Sequence, residues 1–179
     1  WDILRLNQIA LQSIAPSRAH IIERGVIIKG PVSIGANTTI RANSYIIGPA
    51  IIGEYCDIGP GLYMAPSTSI GNNVRVGPFS EIRNSVIGNN VEIGSGSVIE
   101  DSIIDRGCII KGRFVARSEK TSISIDNEHH SVKIGAMIGE SCTISDGVTI
   151  YPGISVGTKS QIKELKVVRE SIPNGASVV

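Results

Sequence analysis

This sequence lacks the features of several common protein classes. Aromatic residues make up only 4% of its 179 residues, and its 17 basic and 16 acidic residues leave a formal charge of +1. Because a nucleic-acid-binding domain needs a basic patch or stripe, this balance argues against nucleic acid as a partner. No apolar run approaches the ~18 residues that span a bilayer, and no signal peptide is visible, so we expect no membrane as a partner either.

The sequence also lacks cysteine pairs. Its three cysteines, Cys56, Cys108 and Cys142, lie far apart and form no Cys-X-X-Cys motif. A disulfide framework is therefore not expected, and the composition indicates a reduced, cytoplasmic protein. All three cysteines fall at positions that the repeat described next assigns to small side chains, so we predict that they are small buried core residues.

Isoleucine and valine are abundant instead, and they recur at a spacing of six. The first positions of the repeat are Ile22, Ile28, Ile34, Ile40, Ile46, Ile52, Ile58, Met64, Ile70, Val76 and Ile82. Four residues after most of them comes a small or β-branched residue, such as Val32, Thr38 or Cys56. The spacing shortens by one residue twice, at IRNSV and IEDSI, and the repeat then resumes and continues to Ile162.

A six-residue repeat of this kind is typical of a parallel β-helix. Each repeat supplies one short strand and one corner. Glycine, asparagine and aspartate gather at the corners, because tight turns often need a positive φ. The aliphatic side chains of successive coils then stack inside the fold at the strand spacing of about 4.8 Å. We predict an all-β domain of about seven such coils over residues 17–179.

The repeat fails between Ile110 and Ile134, where the sequence is KGRFVARSEKTSISIDNEHHSVK. TSISID alternates polar and apolar residues, which indicates a strand, and NEHHSV fits a returning strand after a turn at Asp126 and Asn127. We therefore predict a hairpin-like arm, inserted at residues 113–133, that projects from one edge of the β-helix. It can pack on the same β-helix or on a neighbouring subunit.

Residues 1–16 are the other exception, because their apolar residues follow a helical spacing. The predicted apolar face comprises Ile3, Leu6, Ala10 and Ile14, widened by Leu4 and Leu11. Asp2 is a suitable N-cap and Pro16 ends the segment. We predict a short α-helix that covers the open end of the β-helix, since such an exposed edge needs covering.

Three stretches resemble a known family. WDILRLNQIAL resembles the Trp-Asp-Leu-Leu-type helix that ends the nucleotidylyltransferase domain of archaeal sugar-1-phosphate nucleotidylyltransferases. KIGAMIGE (133–140) and GVTIYPGISVG (147–157) resemble the hexapeptide-repeat domain of the same proteins, which include glucose-1-phosphate thymidylyltransferases and bifunctional uridylyltransferase–acetyltransferases. The resemblance implies a left-handed parallel β-helix. It also implies that residues 1–16 are the tail of a nucleotidylyltransferase domain that precedes them and uses Mg²⁺.

The resemblance further implies candidate site residues. Related domains transfer an acetyl group from acetyl-CoA to an amino sugar phosphate, with a histidine as base. The family's His-X-X-Tyr-Val-Gly-Asp segment corresponds here to SVIEDSIIDRG (97–107), and its Ala-Asn-Leu-Arg segment to ARSEK (116–120), so the histidine is absent. His129 and His130 on the arm are the alternative catalytic residues. The candidates for binding a sugar phosphate or CoA are Arg117, Lys120, Lys133, Ala136 and Arg169.

Two functions remain for the chain. In the first, it is the assembly domain of a sugar-1-phosphate nucleotidylyltransferase in nucleotide-sugar biosynthesis, and it forms a homotrimer through its flat isoleucine-rich faces. In the second, it is an acetyl-CoA-dependent N-acetyltransferase acting on an amino sugar 1-phosphate. The absent histidine segment favours the first, whereas KIGAMIGE and IYPGISVG keep the second open. We predict no metal site, because the arm histidines and the distant His20 do not supply a three-histidine zinc site.

Overall fold

The chain winds into a left-handed parallel β-helix of about eight coils. The computed structural model describes residues 2–15, 17, 18, 21–125 and 128–179, and for residues 17, 18, 121–125 and 128–132 it describes the backbone alone. The predicted fold class is confirmed. The structure has about one coil more than predicted.

One helix and many very short strands make up the fold. In chain order they are α1 (Asp2–Leu11), β1 (Ser17–Arg18), β2 (Ile21–Ile22), β3 (Ile27–Lys29), β4 (Val32–Ile34), β5 (Thr39–Ile40), β6 (Tyr45–Ile47), β7 (Ala50–Ile52), β8 (Asp57–Ile58), β9 (Tyr63–Met64), β10 (Thr68–Ile70), β11 (Arg75–Val76), β12 (Glu81–Arg83), β13 (Val86–Ile87), β14 (Glu92–Ile93), β15 (Val98–Glu100), β16 (Ile103–Ile104), β17 (Ile109–Ile110), β18 (Val115–Ala116), β19 (Glu119–Ile125), β20 (Glu128–Ile134), β21 (Met137–Ile138), β22 (Thr143–Ile144), β23 (Thr149–Ile150), β24 (Ser155–Val156), β25 (Gln161–Ile162), β26 (Val167–Val168) and β27 (Ser177–Val178).

The strands form three parallel sheets, which are the three faces of the β-helix. The first face has the order β1-β4-β7-β10-β13-β16-β21-β24, the second β2-β5-β8-β11-β14-β17-β22-β25-β27, and the third β3-β6-β9-β12-β15-β18-β23-β26. Each coil therefore visits the three faces in turn. Strands pair in register from coil to coil, as Ile58 with Val76 on the second face.

The predicted lead residues line the interior. Ile40, Ile58 and Ile82 are completely buried, and each stacks on the lead residue of the next coil. Branched aliphatic side chains suit this arrangement because they are stiff and pack well on a pleated surface. The small residues four positions later fill the corners of the core. The three cysteines occupy such corner positions and are buried free thiols, as predicted.

The corners need backbone conformations that most residues avoid. Several turn on asparagine in the left-handed region, such as Asn37 at φ 58° and Asn73 at φ 56°. Other corners need glycine because successive coils approach closely. A Cβ atom on Gly94 would lie 2.4 Å from the backbone nitrogen of Gly112. The gathering of asparagine and glycine at six-residue intervals thus reflects both requirements.

Helix α1 lies along the side of the β-helix and does not cover its end, so this prediction is wrong. Leu4 and Leu11 are buried, and Asn7 bonds Ser67 and Ser69 on the first face. The face of α1 that packs on the β-helix combines leucine and asparagine side chains, because the strand surface beneath it presents serines. The residues expected to pack remain outside: Ile3 is 54% and Leu6 64% exposed. Within the described residues, no helix is long and apolar enough to cross a membrane.

The arm is a two-stranded antiparallel hairpin of β19 and β20, as predicted. It begins at Glu119, later than the predicted start at residue 113. The difference arises because Phe114 and Ala116 are fully buried and continue the core of the regular coils. The predicted turn at 126–127 lies outside the described residues. After the arm, Ile134 is buried again and the coils resume.

Candidate functional site

Two of the predicted binding residues lie on one ladder of the third face. Val115 pairs with Thr149 and Thr149 with Val167, so the residues two positions later, Arg117, Tyr151 and Arg169, project from successive coils. The Arg169 guanidinium lies 4.9 Å from the centroid of the Tyr151 ring. This ladder brings together positive charges that are 52 positions apart in the numbering of the chain.

Beside this ladder is a groove of about 390 Å³, which we call the arm groove. Its lining residues are Val115, Arg117, Ser118, Glu119, Thr149, Ile150, Tyr151 and Pro152. The Ser118 Oγ atom is buried and has no hydrogen-bond partner among the described residues. Because buried hydroxyls are nearly always hydrogen-bonded, this atom is an unsatisfied polar group beneath the wall of the groove.

Glu100 fixes the positive wall of the arm groove. Its side chain is only 14% exposed, and it lies 3.8 Å from Arg117 and 4.0 Å from Arg83. It also accepts a hydrogen bond of 3.2 Å from the Ser118 backbone N–H. A carboxylate so placed holds Arg117 at the rim, although 66% of the Arg117 side chain remains exposed and able to bind an anion.

The two predicted lysines meet at the base of the arm. Lys120 in β19 pairs directly with Lys133 in β20. Directly opposed residues of an antiparallel pair have Cβ atoms about 4.5–5.5 Å apart, so the two side chains start from the same point of the arm base. Lys133 is already engaged, since its Nζ lies 3.3 Å from Oδ2 of Asp101. The arm base thus carries one paired ammonium group and the charge of Lys120.

Ala136 lies inside the β-helix. It is fully buried in the core, and its N–H donates a 2.9 Å hydrogen bond to the Ser102 hydroxyl. Its place beside a cofactor stays a prediction.

The predicted catalytic residues lie farther along the arm. The backbone of His129 pairs with Ser124, and that of His130 with Ile123, near the Ile125–Glu128 end of the hairpin. Their side chains are outside the described part of the chain, so their catalytic role stays a prediction. Among the residues whose side chains are described, no group of three metal-binding side chains comes together.

Three residues of the site were missed by sequence reasoning. Ser118 and Glu100 lie in ARSEK (116–120) and SVIEDSIIDRG (97–107), but nothing in these segments indicated a role for either residue. Tyr151 lies in GVTIYPGISVG (147–157), and no binding role was predicted for it. Tyr151 lies one coil of 18 residues before Arg169, which predicts that the two are neighbours, whereas the arm separates Arg117 from Tyr151 by 34 residues.

Comparison with known proteins identifies relatives that cover most of the chain. A family model described as the GMPPB C-terminal domain matches residues 46–134. The bifunctional sugar-1-phosphate nucleotidylyltransferase/acetyltransferase of Sulfurisphaera tokodaii is 29% identical over 184 residues, which cover 98% of this chain and 46% of that protein. The bifunctional protein GlmU of Methanocaldococcus jannaschii is 34% identical over 169 residues, covering 90% and 41%. The chain therefore spans less than half the length of these relatives.

A solved structure shares the fold. The UDP-N-acetylglucosamine O-acyltransferase LpxA from Moraxella catarrhalis superposes with a TM-score of 0.50, over 83% of this chain and 66% of that one. Sequence identity between the two is 15%, so the similarity concerns the β-helix alone.

Proposed function

Because the chain belongs to the C-terminal hexapeptide-repeat domains of sugar-1-phosphate nucleotidylyltransferases, we propose that its main role is to assemble such an enzyme into a homotrimer. The N-terminal nucleotidylyltransferase domain of the parent protein would supply the Mg²⁺-dependent reaction, in the cytoplasm and in nucleotide-sugar biosynthesis. Residues 1–16 would be the junction between the two domains.

The observation that carries the assembly role is a pair of exposed apolar side chains on one corner. Phe79 and Leu165 lie on the corner between the second and third faces, and they are 76% and 73% exposed. Both have a left-handed backbone, with φ of 56° and 59°. Other coils place Gly61 or Gly147 on the same corner, and these glycines adopt that conformation without strain.

A bulky side chain at a left-handed position costs roughly 1–2 kcal/mol. A side chain exposed to water gains no burial that would offset this cost. Phe79 and Leu165 therefore carry a cost that their own chain does not offset, although each lies over the glycine of the preceding coil. Burial against a neighbouring subunit would offset it, because large apolar residues contribute most to interface stability.

The test exploits this cost. Phe79→Gly and Leu165→Gly relieve backbone strain, so each variant should remain folded and be at least as stable as the parent. If the corner is an interface, light scattering should show the trimer dissociating in both variants. Tyr55→Gly is the matched control, since Tyr55 is 60% exposed at φ 57° on a different corner. An intact trimer in both test variants, or loss of the trimer in the control alone, would contradict the proposed interface.

A second function, acetyl transfer from acetyl-CoA, is favoured by the arm groove. Arg117 lines the groove, and Arg169 lies beside it against the Tyr151 ring, so both can supply donors for phosphate groups. These residues fit an anionic ligand such as CoA or an amino sugar 1-phosphate. A relative of this chain also carries acetyltransferase in its name.

Calorimetric titration of the trimer with acetyl-CoA tests this function. We expect micromolar binding that weakens about tenfold in Arg117→Ala and Arg169→Ala, because each loses a charge-assisted hydrogen bond. Arg75→Ala, an exposed arginine of the second face, should bind like the parent. Binding would justify an assay of amino sugar 1-phosphates with His129→Ala and His130→Ala. The absence of binding to an intact trimer would leave assembly as the function.

A further inference from the structure

The two places where the repeat shortens by one residue have a structural counterpart. Both fall on the corner between the third and first faces, at Asn84 and Asp101. Their backbones adopt φ of 41° and 46°. The shortened corners stack directly, because the Asp101 N–H donates to the carbonyl of Arg83 in the coil before. Losing one residue per corner thus places the two polar side chains side by side.

These side chains connect two elements that are otherwise separate. Gln8 of helix α1 donates a 2.8 Å hydrogen bond from Nε2 to Oδ1 of Asn84. The Asn84 amide donates in turn to Oδ1 of Asp101. The second carboxylate oxygen of Asp101 lies 3.3 Å from Nζ of Lys133 on the arm. We call these four residues, Gln8, Asn84, Asp101 and Lys133, the corner relay.

Asp101 is the buried residue of the corner relay. It is only 6% exposed, so its charge depends on the two groups that contact it. Removing a partner from a buried charge is expensive, because the charge is then neither solvated nor paired. Its own carbonyl also accepts a 2.9 Å bond from Gly135, where the arm rejoins the coils. Asp101 therefore fixes the arm through its backbone and its side chain together.

We propose that Asp101 is a positioning residue that couples helix α1 to the arm. When Gln8 holds the Asn84 amide, that amide is oriented toward Asp101, and the carboxylate presents its other oxygen to Lys133. Loss of the helix contact frees the amide to rotate and loosens the arm base. Because coupling between two sites is reciprocal, loss of the Lys133 contact must loosen α1 by the same factor. The relay thus transmits the docking of α1 to the base of the arm.

Hydrogen–deuterium exchange of the full chain tests the proposal. Gln8→Ala should accelerate exchange of the arm amides of β19 and β20 about threefold or more, while the regular coils exchange as before. Lys133→Ala should accelerate exchange in α1 to the same extent. When both substitutions are combined, the acceleration of exchange should be smaller than the product of the two single accelerations. Either substitution alone already breaks the relay.

The matched control is Arg106→Ala. It removes a 3.0 Å ion pair with Glu140, which connects two successive coils on a different corner of the β-helix. This variant should leave exchange in α1 and in the arm unchanged. An effect in one direction only, multiplicative effects in the double variant, or acceleration spread evenly over the β-helix would each overturn the coupling.

Discussion

The two halves of the third face share one backbone geometry but present different surfaces. In the N-terminal half, the rings of Tyr45 and Tyr63 stack 6.0 Å apart with an interplanar angle of 10°. Lys29 lies 5.3 Å from the Tyr45 centroid and Arg83 5.2 Å from that of Tyr63, so cations close both ends of the stack. This half therefore presents stacked aromatic rings covered by cations.

In the C-terminal half, Val115 and Thr149 occupy the positions that correspond to Tyr45 and Tyr63. Short side chains there leave the arm groove open beside Arg117. In both halves, packing in the core determines which residues point inward. It does not determine which residues point outward. A β-helix can therefore gain or lose a binding groove by changing side-chain size at outward positions, without any change of coil geometry.

The largest effects on the free energy of unfolding are expected from substitutions in the core of the two halves. Ile82 is packed between Met64 and Ile99, whereas Ile150 lies between Ala116 and Val168. Truncating a buried isoleucine to alanine costs about 2–5 kcal/mol, depending on how tightly its neighbours surround it. We expect Ile82→Ala near the upper end of that range and Ile150→Ala near the lower end, by urea unfolding. Equal reductions in the free energy of unfolding would show that the core of the two halves is equally packed and that they differ only on the surface.

This interior was also the part that the sequence predicted best. The six-residue spacing placed Ile82 and Ile150 in the core, because an inward position repeats with the coil and tolerates only apolar residues. Helix α1 was assigned to the wrong place because Leu4 and Leu11 could pack equally well on an end or on a side. Within the site, Arg117 and Arg169 were found as basic residues, but Ser118 and Glu100 matter only through burial and distance, which no motif records.

Intermediate effects are expected from two buried serines. Ser85 donates a 2.6 Å bond to the Arg83 carbonyl and accepts a 3.1 Å bond from the Ser102 N–H, whereas Ser118 Oγ has no partner among the described residues. Ser85→Ala should lower the free energy of unfolding by about 1–3 kcal/mol, since it leaves the Ser102 donor unsatisfied. Ser118→Ala should be neutral or slightly stabilising, because it removes an unsatisfied group.

Urea unfolding measures both serine variants. A clear loss of stability in Ser118→Ala would mean that its hydroxyl has a structural partner.

The smallest effects are expected from surface ion pairs, which again differ between the halves. Arg41 contacts Asp57 twice, at 2.7 and 2.9 Å, whereas Arg106 contacts Glu140 once, at 3.0 Å. The hydrogen bonds from these arginines hold the pKa of Asp57 and that of Glu140 below their usual ranges. A carboxylate whose pKa is depressed by folding stabilises the protein above its unfolded pKa, and this stabilisation is lost as the pH falls through the folded pKa.

Arg41→Ala should therefore lower the urea midpoint at about pH 7 and have a much smaller effect at about pH 2, because the stabilisation fades as Asp57 also becomes protonated in the folded state. Arg106→Ala should follow the same trend with a smaller shift, because a single hydrogen bond joins Arg106 to its carboxylate. Both shifts should shrink in high salt, since the pairs are partly exposed. A midpoint difference that is the same at both pH values would mean that Arg41 acts through the packing of its aliphatic stem and not through its charge.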